Sequence, residues 1–208
     1  MDYTKYKASR DLSWKILIQN NISKLPVKIS AICRAYNIRI RKYKDSADII
    51  NKFSLSDNAH NNDGLTFKHT IFYNEQCTVG RQRFTIAHEL GHCLLHNGKE
   101  LYNQEPSEND NPLECEANVF ASRVLAPACV LWGIGVRSAE EISHLCNISM
   151  KSAEFRFERM KELYARERYF LKKSGKSCFL LSPPERQVYN QFREYIRIYW
   201  IINHNHHH

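Results

Sequence analysis

The chain has 208 residues, enough for one sizeable core and for either one or two domains. Apolar residues make up 43% and charged residues 25%, as in an ordinary soluble globular protein. A net charge of +8 with a pI near 9.1 allows contact with nucleic acid or an acidic partner without requiring either. By inspection no apolar run reaches the roughly 18 residues of a membrane helix. The opening MDYTKYKASRDLSWK is polar and too short of apolar residues for a signal peptide. The expected compartment is therefore the cytoplasm, with no membrane association. Seven scattered cysteines, without a C-x-x-C pair, fit reduced and mostly buried thiols there.

In chain order, Leu12, Ile16 and Ile22 predict a loosely amphipathic helix near 11–20. LPV at 25–27 interrupts it, and Ile29, Ile32 and Cys33 mark a short helix ending about Tyr36. Alternation at 38–41 predicts a strand through Tyr43. A polar loop, SLSDNAHNNDG, then leads to LTFKHTIFYN, read as a hairpin or two short strands. Phe84, Ala87, Leu90, Leu94 and Leu95 recur near 3.6-residue spacing and predict a helix from Gly80 to His96. Beyond an acidic loop, Asn111-Pro112 is a cap and first-turn pair for a helix that Pro127 stops. Ser138-x-x-Glu141 and Ser182-x-x-Glu185 are capping boxes. A long helix is expected between them, from about Lys151 to Arg168, with a flexible connection near 172–176. After the second box Val188, Phe192, Tyr195 and Tyr199 carry an apolar stripe. The terminal NHNHHH is left out of the fold.

The chemistry concentrates in FTIAHELGHCLLH at 84–96. H-E-x-x-H on a helix puts His88 and His92 on one face, about 6 Å apart along the axis, where both imidazoles can reach one Zn²⁺. Glu89, beside the first ligand, is placed to take a proton from the attacking water as general base. His96 extends the same row but lies about 12 Å along the axis from His88, too far to share its metal. The alternative long motif, with a glycine and then a histidine beyond His92, finds Leu95 and Gly98 at those positions. His96 is thus read as a polar residue near the helix end.

The third ligand is sought on the next helix, in ECEANVFASRVLAP. Glu114 and Asn118 are four apart and share a face, so one turn can offer a carboxylate to zinc. The next turn can then steady a ligand histidine with an amide. An acid in a helix's first turn is common for dipole reasons alone. Beside an H-E-x-x-H helix Glu114 is read as the ligand, with Glu116 the alternative. Cys93 and Cys115 adjoin these ligands but point about 100° away.

These stretches, LPVKISAICRAYNIRI, IFYNEQCTVGRQRFTIAHELGHCLLH and ECEANVFASRVLAP, resemble the ImmA/IrrE family of metallopeptidases. More weakly, the resemblance continues through SAEEISHLCNISMKSAEFRFERM, so it spans about residues 25–160. The resemblance implies an α+β fold, mostly helical, with a small mixed or antiparallel sheet packed by the active-site helix. It implies a zincin-like domain over 1–130 and a helical C-terminal region over 131–208 that packs on or extends it. It also implies His88, His92 and Glu114 as zinc ligands and Glu89 as catalytic base. By analogy with related peptidases, HTIFYN is expected to be an edge strand that holds extended substrate, and Tyr73 either stabilises the oxyanion or packs on the core. The implied substrate is one helix-turn-helix repressor, whose cleavage relieves repression in a mobile element or stress response.

A different class stays open. SAEEISHLCNISMKSAEFRFERM has helix-turn-helix punctuation and, with the positive charge, fits a DNA-binding or repressor-docking module whose metal site is structural or sensory. Arg156 and Arg159, set among Phe155, Phe157, Glu154 and Glu158, suit a packed and solvated helix better than a phosphate-reading face.

Overall fold

A computed structural model describes residues 6–55, 62–96, 111–174 and 181–204. The first segment carries α1 (Lys7–Gln19), α2 (Ile29–Ala35), β1 (Arg39–Lys42) and α3 (Ala47–Lys52). The second carries β2 (Gly64–Phe67), β3 (Thr70–Tyr73) and α4 (Val79–Leu95). In the third lie α5 (Pro112–Leu125), α6 (Ala128–Ile134), α7 (Ala139–Cys146) and α8 (Met150–Ser174). The last has α9 (Pro183–Gln191) and α10 (Arg193–His204). The fold is α+β and mostly helical. Cys178, most of the acidic loop, the end of the 172–176 connection and the last four residues lie outside the described residues.

The local signals act as their chemistry requires. Asn111 accepts the Leu113 N–H at 3.0 Å, with Pro112 in the first turn, where no intrahelical donor is lost. Ser138 accepts the Glu141 N–H at 3.2 Å. Ser182 and Glu185 form a reciprocal box, the carboxylate accepting the Ser182 N–H at 2.9 Å. Between these boxes α8 runs six residues beyond Arg168. The apolar stripe after Ser182 is divided at Phe192 into two helices, α9 and α10. Two helices, α3 and α6, were not foreseen. Six-residue α3 is held by a small cluster of Ile50, Leu55, Leu65 and Phe72 rather than by periodicity, which so short a segment cannot display.

The three strands pair in the order β1-β3-β2, with β1 parallel and β2 antiparallel to β3. A two-residue turn joins β2 to β3, and both its residues, Lys68 and His69, have positive φ (43° and 58°). Such turns match the twist of a hairpin. The expectation that HTIFYN is an edge strand is therefore corrected: β3 is the centre strand and its main-chain groups are taken on both sides. Among the described residues, β1 and β2 each pair with β3 alone, so both are edges, and β2 is the one that packs on α4. Tyr73, half-buried at the end of β3, packs against the main core.

That main core is one cluster reaching from Trp14 to Ile196, with Leu90, Phe120, Val124, Leu131, Ile142, Met160 and Phe192 all fully buried. It draws on residues either side of position 130. At its centre α4 packs between β2 and β3 on one side and α5 on the other. The stretch Pro112–Ile134 is by length and hydropathy able to cross a membrane, which corrects the reading that no run is long enough. It breaks at Ala126–Pro127 into α5 and α6, and 61% of its most apolar window is buried in the protein, as core helices are. All six described cysteines are free, and burial raises the Cys33, Cys129 and Cys146 thiols to about 12.

Candidate metal centre

Small residues set the spacing between the helices that carry the site. A Cβ built on Gly91 of α4 would lie 3.0 Å from the Phe120 ring and 3.2 Å from the Ala117 Cα of α5. With so little between the backbones, side chains one turn earlier on each helix meet directly. His88 Nε2 is 3.1 Å from one Glu114 oxygen and His92 Nε2 is 3.1 Å from the other. The two imidazole Nε2 atoms are 2.9 Å apart. Among the described residues, these three side chains are the one His/Cys/Asp/Glu group gathered closely enough to hold a metal ion.

Those separations can be tested against zinc chemistry. Tetrahedral zinc holds nitrogen and carboxylate oxygen at about 2.0–2.2 Å, so neighbouring donors should be about 3.3 Å apart. The donor set fits, in both chemical type and spacing. The electrostatics agree. Hydrogen bonds from His88 and then His92 hold the Glu114 carboxyl far below its ordinary range. Burial alone would lower the His88 pKa, but Glu114, Glu89 and Asn118 together outweigh it and raise it. A cationic group is thus favoured where the three donors converge.

Each remaining ring nitrogen is also occupied. His88 Nδ1 lies 2.9 Å from the Asn118 amide oxygen, the helper expected from the four-residue spacing. His92 Nδ1 lies 3.0 Å from His96 Nδ1, and His96 Nε2 lies 3.0 Å from a Glu116 oxygen. His96 does not join the donor cluster and sits at the C-terminal end of α4, as read, where it is buried against His92. Glu116, the alternative ligand, is bonded to His96 instead. The signal for His96 was present as the i, i+4 step from His92, but only packing reveals that it is buried with a partner on α5.

Glu89 is half-buried on α4, and Thr66 of β2 donates a hydrogen bond to its Oε2 at 2.8 Å. Sequence reading did not single out Thr66. Strand alternation sends Leu65 into the small cluster by α3, so Gly64 and Thr66 face α4, but nothing local says what α4 presents there. Gly64 is needed for that approach: a Cβ would sit 2.3 Å from Thr85 Cγ2 and 3.3 Å from Glu89 Cγ. The edge strand is thereby held against the acid beside the cluster.

A family profile described as the IrrE N-terminal-like domain matches residues 33–158, more than half of the chain and all of this site. The chain belongs to that peptidase family. Radiation response metalloprotease IrrE from Deinococcus deserti is 31% identical over 96 aligned positions, and the match covers 41% of this chain and 34% of that protein. The chain thus matches about a third of the length of this curated relative. As an IrrE-like protein it is a member of a metallopeptidase family, and the His88, His92 and Glu114 cluster is compatible with the H-E-x-x-H type of site.

Proposed function

We propose that the protein is a cytoplasmic zinc endopeptidase that cuts one specific protein, a helix-turn-helix repressor of the Xre type, and so relieves repression in a mobile-element or stress-response system. The observation that carries the chemistry is the convergence of His88, His92 and Glu114 beside an acid, Glu89, that Thr66 steadies from the sheet edge. Bound by those three side chains, zinc supplies a Lewis acid for the scissile carbonyl and acidifies the attacking water. Glu89 takes the proton from that water and returns it to the leaving amine. Thr66 occupies one carboxylate oxygen and leaves the other for the proton. Asn118, accepting from His88 Nδ1, keeps the Nε2 lone pair turned toward the cluster. Extended substrate adds to β2 by main-chain hydrogen bonds, since β3 is already paired on both sides and β2, unlike the other edge strand β1, carries Thr66 on Glu89.

Co-expression with helix-turn-helix repressors of the Xre type from the same genome, followed by mass spectrometry of the fragments, tests the reading. Cleavage is expected with the wild type and not with Glu89→Gln, which should still bind zinc, whereas His92→Ala should lose the metal. Cleavage by the Glu89→Gln protein would sink the mechanism.

The second reading, DNA binding or repressor docking, draws on α7 and α8, which meet at a turn where Asn147 is left-handed (φ 50°). Against a DNA-reading face, Arg156 is buried with its Nε donating to the Ala126 carbonyl at 2.6 Å, and Arg159 forks onto Glu162 at 2.8 and 3.1 Å. A salt-dependent gel shift on the promoter that such a repressor controls, with no repressor cleavage, would favour that second reading over the peptidase.

A further inference from the structure

His96 and Glu116 lie outside the donor cluster, yet they form a continuous hydrogen-bonded chain into it. His92 Nδ1 meets His96 Nδ1 at 3.0 Å, and His96 Nε2 meets Glu116 Oε2 at 3.0 Å. His92 and His96 are both buried, so neither can exchange these partners for water at no cost. Two facing nitrogens need one proton between them, and the question is which ring carries it.

The far end of the chain decides. An ionised carboxylate only accepts, so Glu116 draws the His96 proton to Nε2 and leaves a lone pair on Nδ1. With a metal held there, Glu114 no longer takes a hydrogen bond from the imidazoles, and the His96 lone pair accepts from His92, whose proton is therefore on Nδ1 and whose Nε2 lone pair is left for the metal. Every donor then meets an acceptor with both rings neutral. The reverse arrangement would place a proton on His92 Nε2, the atom needed for a metal, and would leave the Glu116 carboxylate facing a bare nitrogen. α5 supplies both ends of the device from a single turn: Glu114 reaches the donor cluster while Glu116, two residues on, reaches His96.

We propose that His96 and Glu116 are positioning residues that fix the tautomer and orientation of His92 and thereby set how tightly the centre retains its metal. This rests on the reading of His88, His92 and Glu114 as the metal ligands. The pair does for His92 what Asn118 does for His88, but through a second imidazole and with a charged terminus. Glu116 is partly exposed, and the helix interface is packed by Gly91, Ala117 and Phe120, so truncating it opens no core cavity.

The test uses the full chain with zinc alone, measuring affinity and dissociation by chelator competition. Glu116→Ala and His96→Phe should each weaken zinc binding by about 10–100-fold, the usual effect of losing such a partner. Glu116→Gln, whose amide oxygen can still accept from His96 Nε2, should restore much of the loss. Metal-free Glu116→Ala should melt somewhat below wild type, because buried His96 loses its acceptor, but should be fully folded by circular dichroism at the temperature of the zinc titration, which separates positioning from folding. Nitrogen-15 spectra of the histidines in the zinc-loaded protein should show His96 protonated at Nε2 and His92 at Nδ1. The proposal is overturned if Glu116→Ala binds zinc within twofold of wild type, or if His96 carries its proton on Nδ1. If His92→Ala binds zinc as well as wild type, the ligand assignment itself has failed, and this proposal fails with it.

Discussion

Gly91 offers a direct test of how closely α4 and α5 approach. Replacing a mid-helix glycine by alanine normally stabilises a helix by about 1 kcal/mol. Here the new methyl would sit 3.0 Å from Phe120 Cδ1 and 3.2 Å from Ala117 Cα. Carbon atoms pack best at about 3.5–4.0 Å, so both contacts are short by some tenths of an ångström. The Phe120 ring is fully buried and Ala117 Cα is backbone, so neither can swing aside. Overpacking of this kind costs about 1–3 kcal/mol, which outweighs the helix gain and leaves Gly91→Ala destabilised by about 0–2 kcal/mol. In a chain of this size each 1 kcal/mol lowers the melting temperature by about 2–4 °C. Gly91→Val, with two further methyls, should lose more. Because Ala117 is one turn beyond Glu114, relief by moving α5 withdraws the carboxylate from both histidines, so zinc affinity should fall with stability. Thermal melts of the metal-free protein and chelator competition measure the two effects. A Gly91→Ala protein stabilised by the full helix gain, with unchanged zinc affinity, would refute the close approach.

Thr66→Val keeps the shape but removes the hydrogen bond to Glu89, a bond to a charged group worth about 1.5–3 kcal/mol. Cleavage of the proposed substrate should slow about ten- to a hundredfold with zinc content unchanged; loss of zinc instead would mean that Thr66 supports the ligands. Metal-free protein should be most stable in mildly acidic solution. Glu114, depressed from its ordinary 4.5, contributes stability above that pH that is lost as pH falls further. His88, raised above 6.5, contributes stability below that pH that is lost as pH rises through its folded value. Melts from pH 4 to 9 should therefore peak between these values, and Glu114→Gln should flatten the alkaline slope; an unchanged slope would remove the pair from the account. His69→Gly relieves a left-handed residue in the β2–β3 turn and should stabilise by about 1 kcal/mol in chemical denaturation, with Lys68 kept for its contacts over Phe53 and Phe67.

The features legible in the sequence are those that live within one element. The apolar spacing of Phe84, Ala87 and Leu90 announces α4, Asn111-Pro112 announces α5, and two Ser-x-x-Glu boxes open α7 and α9. The pairing of Glu114 with Asn118 was also local, a four-residue step on one helix. Whatever depended on a neighbour was not legible. The α3 helix exists because Ile50 finds Leu55, Leu65 and Phe72, and α10 separates from α9 at a residue that merely continues the stripe.

By itself the sequence determined that one helix would present two imidazoles and an acid on chosen faces, because 3.6 residues per turn is a property of the backbone. Only the tertiary structure decided which side chains those faces meet. The rotation and spacing of α4 against α5, set by Gly91, Ala117 and Phe120, bring Glu114 to His88 and His92 and give Glu116 to His96. The strand order, which pairs β3 on both sides, leaves β2 as an edge and puts Thr66 on Glu89. These are contacts between residues 20 or more apart in the chain, and no local periodicity encodes the relative placement of two packed elements.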